Sequence, residues 1–296
     1  MDLHLACHLI EACDVAYAIG SPGGVTSSPK YEAVGFHSAP EVIVRGPDQI
    51  DACLVGSTDA GLIVAFRGTL PLAFANPAAF FQSLLDWLTD AEMAQIEVPG
   101  IPGKVHQGFA KALLDLWEPL TVAIKQQLAS GQDVFVTGHS KGASMATLAA
   151  VRLLNLEGIR ASGVFPFAPA RAGDPAFASA YDEGLPDTWW FANRDDIVPH
   201  LPPSEELFKI LESLPEATFK GLKALPEYQH TKTLQFIQWD GKIIDFGKLS
   251  RLAALELQAR RMDHLAARLL TGKVGEILGD HACEGGYLTG PCGAED

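Results

Sequence analysis

The chain has 296 residues, 48% of them hydrophobic, and no glycine-rich linker, low-complexity tract or internal repeat divides it; this predicts one domain over 1–296. Its formal net charge is −14, with no run of Lys or Arg. Such a chain repels phosphate backbones and strongly anionic membrane surfaces, which disfavours nucleic acid as a partner and favours neutral substrates. The five cysteines, Cys7, Cys13, Cys53, Cys283 and Cys292, make no CxxC pair and no Cys/His cluster with zinc-ligand spacing. An odd count leaves at least one thiol free. Cys283 and Cys292 flank a Gly-rich turn and could bridge, although the reading favours them apart.

Residues 1–19 lack a basic start, and Asp2, His4, His8 and Glu11 interrupt the apolar residues, so no signal peptide is expected. The compartment stays open between the cytoplasm and a mature, secreted form. The spacing predicts an amphipathic helix with Leu3, Cys7, Ile10 and Val15 on one side. No uninterrupted apolar stretch is long enough to cross a bilayer. A Gly-, Pro- and Ser-rich loop over 21–38 precedes short strands near 42–44, 52–55 and 61–66. The third strand runs into Arg67-Gly68-Thr69, a turn that could offer a backbone N–H and a hydroxyl to an oxyanion. Between 70 and 94, Phe80, Phe81, Leu84, Leu85 and Leu88 follow helical spacing. That segment reads either as a core-facing helix or as an apolar lid over a lipid cleft. A helix is expected through about Gln127, with Pro119 inside it.

Asp133-Val134-Phe135-Val136-Thr137 reads as a buried strand, and Ala143 to about Leu154 as a helix. Between them stands Gly138-x-Ser140-x-Gly142. A sharp strand-to-helix turn forces the serine into a strained backbone position and brings the residues two before and two after it together, so glycine is needed at both. Ser140 is therefore the candidate nucleophile. Strands near 163–167 and 189–192 follow, the latter ending in Asn193-Arg194-Asp195-Asp196. Two carboxylates after a parallel strand sit at the sheet's carboxyl edge, where α/β active sites lie. A hairpin across Asp240-Gly241, a helix over 249–270 and a Gly-rich tail complete the chain.

A serine hydroxyl needs an imidazole to take its proton and a carboxylate to orient that imidazole. After this kind of turn the chain order is serine, acid, histidine. His200 would share a loop with Asp196, leaving it little reach. His264 falls mid-helix. His281, in a flexible loop after the last strands, is the expected base, with His264 as the alternative. No metal is needed for this chemistry, and no cofactor is expected. His139 reads as support for the turn.

Six motifs spread over the chain now combine: Phe66-Arg67-Gly68-Thr69, Asp86-Trp87-Leu88-Thr89-Asp90, Val105-His106-x-Gly108-Phe109, Gly138-His139-Ser140-x-Gly142, Phe167-x-Pro169-x-Arg171-x-Gly173 and Asp196-Ile197-Val198-Pro199-His200-Leu201-Pro202. With them the chain resembles the class 3, fungal-type lipases of the α/β-hydrolase superfamily. The resemblance implies an α/β-hydrolase fold: a central, mostly parallel sheet flanked by helices, with a lid over about 70–94 after the oxyanion strand. It implies Ser140 as nucleophile, Asp196 rather than Asp195 as the acid, and Asp280-His281 with Tyr287 as the histidine motif. It implies Thr69 and the backbone N–H of Lys141 as oxyanion donors. The activity it implies is hydrolysis of acylglycerol esters at a lipid–water interface, or of soluble carboxylic esters of the feruloyl type; a non-catalytic lipid carrier on the same fold is the third reading. Lys141 stands where the family usually has a small or aliphatic residue. A cation opposes the helix dipole there, so a nearby carboxylate is expected to pair with it.

Overall fold

The computed structural model describes residues 1–19, 30–46, 50–69, 94–212 and 226–293. The lid expected over about 70–94 therefore lies outside the described residues, apart from Ala94.

Among the described residues ten strands form in chain order: β1 (Glu41–Arg45), β2 (Asp51–Ser57), β3 (Leu62–Phe66), β4 (Gln95–Val98), β5 (Ile101–His106), β6 (Val134–His139), β7 (Gly163–Phe167), β8 (Trp190–Asn193), β9 (Leu234–Ile237) and β10 (Ile243–Asp245). Eight of them make one sheet in the order β1-β2-β3-β6-β7-β8-β9-β10. The run from β3 to β9 is parallel, and the pairs at either edge are antiparallel. The central strands are apolar almost without alternation, as in Leu62-Ile63-Val64-Ala65-Phe66, all buried. Such runs arise where helices cover both faces of a parallel sheet.

One face is covered by α1 (Leu3–Ala16). Its buried side is Ala6, Leu9, Ile10, Cys13 and Val15, packed with Phe165, Phe167, Phe191 and Tyr287. Leu3 and Cys7, expected on that side, are only half-buried, because the buried stripe is centred on Leu9 and Cys13 and leaves them at its edge. The other face packs α2 (Gln107–Gln127) and α3 (Lys141–Arg152) with α4 (Pro175–Gly184), α5 (Glu205–Glu212) and α6 (Arg251–Leu270) around it. A last helix, α7 (Val274–His281), precedes the tail. Pro119 is accommodated within α2. β4 and β5 form a separate two-stranded antiparallel sheet, joined by a tight turn at Pro99-Gly100.

The disulfide joins Cys7 of α1 to Cys292 of the tail, a pairing the sequence reading did not name, and Cys283 and Cys292 stay apart as that reading favoured. The tail runs back along α1, so Cys292 faces Cys7 with their Cα atoms 4.8 Å apart. Cys283 is instead buried outside any disulfide, its thiol directed at the Ile10 carbonyl. No helix among the described residues is long and apolar enough to cross a membrane.

Candidate active site

The turn between β6 and α3 is built as its glycines require. Ser140 has φ 58° and ψ −129°, a region that L-residues other than glycine visit only under constraint. A Cβ on Gly138 would lie 2.3 Å from the Gly142 carbonyl oxygen, and one on Gly142 would lie 2.3 Å from the carbonyl oxygen of Phe66. The second contact draws the start of α3 against the end of β3. Ser140 N–H donates to the Phe167 carbonyl at 2.9 Å, tying the turn to the next strand. The side chain of Ser140, 7% exposed, projects above the sheet edge.

His281 Nε2 is 3.0 Å from Ser140 Oγ, and its Nδ1 is 3.0 and 2.9 Å from the two carboxylate oxygens of Asp196. With Nδ1–H directed at the carboxylate, the unprotonated Nε2 faces the hydroxyl, which is the orientation a general base needs. Three residues separated by as much as 141 positions are thus joined in one line. Asp196 also accepts from the Tyr287 hydroxyl at 2.7 Å and from Val198 N–H at 2.9 Å. Burial, and then the neighbouring Asp196, push the Tyr287 phenol well above its usual range, so it stays a donor.

His281 is the last residue of α7, not part of a flexible loop as the sequence suggested. Gly275 and Gly279 conceal the helix in the sequence, but buried Ile277 and Leu278 anchor it. A second polar cluster fixes that helix. Arg268 of α6 lies 2.8 Å from Asp195 Oδ2 and also pairs with Asp280. Asp195 accepts from Trp239 Nε1 at 2.9 Å, and Asn193 Nδ2 donates to the Asp280 carbonyl at 2.9 Å. Asp195, next to the carboxylate that faces His281, therefore holds the histidine's helix rather than the histidine. Arg268 was missed in the sequence because an arginine in a charged helix carries no distinguishing signal.

His139 supports the same assembly. Its Nε2–H donates to the His281 carbonyl at 2.8 Å, and its Nδ1 accepts from the Tyr17 hydroxyl at 2.8 Å. Burial, and then His281, drive its pKa well below the usual value, so it remains neutral. The other histidines do other work. His264 stacks on Trp239 at 4.2 Å, His230 donates to the Pro199 carbonyl at 2.6 Å, and His200 is buried, 4% exposed.

Of the two expected oxyanion donors, Lys141 is the first residue of α3, so its N–H has no acceptor within the helix. Its ammonium lies 2.7 Å from Asp51 Oδ1, at the start of β2. The carboxylate expected to pair with Lys141 is thus Asp51, 5% exposed. Gly68 passes close to Ser140, since a Cβ there would come within 3.1 Å of the serine's Cβ. Thr69, the next residue, is exposed and makes no hydrogen bond to Ser140 or His281 among the described residues.

Comparison with known proteins gives a consistent set of relatives. Residues 63–206 match the family model for lipase (class 3). A lipase from Rhizomucor miehei is 31% identical over 156 residues, which are 50% of this chain and 39% of that one. Secreted mono- and diacylglycerol lipase 3 from Gibberella zeae is 29% identical over 153 residues, covering 49% of this chain and 46% of that one. The chain spans less than half the length of both of these curated relatives. Among solved structures, a triacylglycerol lipase described as having a serine protease triad at its catalytic centre superimposes with a TM-score of 0.54 at 22% identity, covering 79% of each chain. That likeness establishes the shared fold.

Proposed function

We propose that the chain, whose residues 63–206 match the class 3 lipase family, is a serine ester hydrolase of that family acting on neutral acylglycerol esters. The observation that carries this reading is the line Ser140 Oγ–His281 Nε2, His281 Nδ1–Asp196. In the proposed reaction His281 takes the hydroxyl proton as Ser140 attacks the ester carbonyl. The oxyanion meets the Lys141 N–H and the Thr69 turn; one such donor is worth about 3–4 kcal/mol when lost. The imidazolium, oriented by Asp196, protonates the leaving alcohol. Water then hydrolyses the acyl-enzyme through the same groups in reverse.

The strained serine supports this assignment, because a φ of 58° at a non-glycine residue is maintained only where the surroundings impose it. The net charge of −14 favours an uncharged substrate over an anionic one. The 296 residues are read as one domain. Labelling of Ser140 by a fluorophosphonate tests the nucleophile: absence of labelling in the folded protein returns the chain to the lipid-carrier reading. Assays on p-nitrophenyl esters of increasing length, below and above the micelle threshold, test the acylglycerol assignment. Activity confined to short soluble esters replaces it with a carboxylesterase.

A further inference from the structure

A cleft of about 610 Å³ lies between the segment after β7, strands β8 and β9, and helix α6; this volume is in the range of small-molecule sites, roughly 300–1,000 Å³. Neither Ser140, Asp196 nor His281 lines it. Its wall gathers Arg171, Arg261, His200 and His230. Arg261 is 2% exposed. Its Nη1 donates to Gln258 Oε1, its guanidinium lies 4.5 Å over the ring of Phe236, and its buried Nε has no hydrogen-bond partner. Arg171 donates to the Pro202 carbonyl. Among the described residues, the arginines in ion pairs are Arg194 and Arg268, so neither cleft guanidinium has a carboxylate against it.

The electrostatics agree with the geometry. Burial lowers the pKa of both Arg171 and Arg261 to about 10. Asp195 and Asp196 attract Arg261 only through space. Burial, and then the two arginines, push the His200 imidazole well down. Burial and Arg171 lead the causes that lower His230 to about 3. A buried guanidinium, Arg261, beside a half-buried one, Arg171, with no carboxylate in contact with either is costly to assemble, and here it occurs in a chain of net charge −14. The remaining surface is of a different kind. Trp190, Leu234, Phe246 and Leu255 also line the cleft, and Leu255 stands at its mouth, 59% exposed.

We propose that this cleft binds an alkyl-chain carboxylate, with the headgroup on the Arg171 and Arg261 guanidiniums and the chain along Trp190, Leu234, Phe246 and Leu255. Guanidinium forks suit a planar carboxylate, and an inorganic anion would leave the apolar wall uncovered. The proposal stands apart from the hydrolytic reading. If that reading holds, the ligand is of the same chemical class as the acid product, and the cleft is a second site for it.

The test is a calorimetric titration of decanoate, below its micelle threshold, into the full chain after treatment with a fluorophosphonate that caps Ser140. One saturable site is expected, with 1-decanol and inorganic phosphate each at least about tenfold weaker. Arg261→Gln and Leu255→Asp are each expected to weaken decanoate by about tenfold. Leu255 is an exposed helix residue, so L255D keeps the test independent of any folding defect in R261Q. The proposal is overturned by absence of saturable binding, by decanol or phosphate binding as tightly as decanoate, by binding indifferent to L255D, or by binding lost on capping Ser140. If Ser140 does not label, the hydrolytic reading fails, and the titration still reads the cleft in the unlabelled chain.

Discussion

The proposed nucleophile, Ser140, and its proposed base, His281, are held in place by opposite means. Ser140 is positioned by five consecutive residues, two of them glycines whose missing Cβ atoms let β3, β6 and α3 meet. His281 comes from the end of a short helix near the tail. It is held by side chains and backbone from distant segments: Asp196 below, His139 beside its carbonyl, and Arg268 bridging Asp195 and Asp280 behind it. The elbow is encoded by local sterics, whereas the histidine's place is encoded by long-range polar contacts. Damage to the first should therefore appear in folding, and damage to the second in turnover.

The largest expected effect tests both halves together. Ser140→Ala and His281→Ala should each lower kcat on a p-nitrophenyl ester by roughly four to six orders of magnitude, while His264→Ala stays within about threefold of wild type. Equal losses from His264→Ala and His281→Ala would remove the basis for the proposed line of proton transfer.

Two variants separate the halves. Gly142→Ala puts a methyl group 2.3 Å from a backbone carbonyl, so a loss of about 1–3 kcal/mol in unfolding free energy is expected, measured by denaturant titration. Arg268→Gln leaves the elbow alone but frees α7. A misplacement of about 1 Å at the base can cost up to about a hundredfold, so kcat should fall roughly ten- to a hundredfold with KM changing little. An Arg268→Gln variant that loses stability but keeps its turnover would reduce that cluster to ordinary packing.

The acid response adds a graded version of the same contrast. His106 caps α2, its Nδ1 accepting from Gly108 and Phe109 N–H. Burial, and then Lys141, lower its pKa from 6.5 to about 4. The unfolded chain binds this proton near pH 6.5 and the folded chain refuses it until about 4. Stability is therefore complete above that upper value and is lost as the pH falls, with a slope approaching about 1.4 kcal/mol per pH unit per histidine. His139 and His200, also depressed by burial, act in the same direction. Unfolding midpoints at pH 7, 6 and 5 measure this, and a flat profile would contradict the neutral state assigned to these rings.

The smallest effect is expected at Lys141. Its ammonium is joined to Asp51, so Lys141→Leu strands a buried carboxylate beside the proposed oxyanion site. A change of about threefold in kcat/KM, with an altered pH profile, is expected. An unchanged rate and profile would make the lysine a structural tether alone.

The elbow was legible from the sequence because its chemistry is confined to neighbours: a strand, a glycine pair and a small-residue helix dictate their own geometry. The parallel core was legible for a similar reason, since uninterrupted runs such as Val134–Val136 mark strands covered on both faces. The resemblance to a family supplied the choice between Asp195 and Asp196, which two adjacent carboxylates cannot supply by themselves. What the tertiary structure decided was everything that depends on distant segments meeting. It alone set Asp195 against Arg268, Lys141 against Asp51, Tyr17 against His139 and Cys7 against Cys292. Local composition fixes which backbone shapes are allowed, but a pairing between residues far apart in the chain depends on how those shapes pack, and no short window of sequence contains that information.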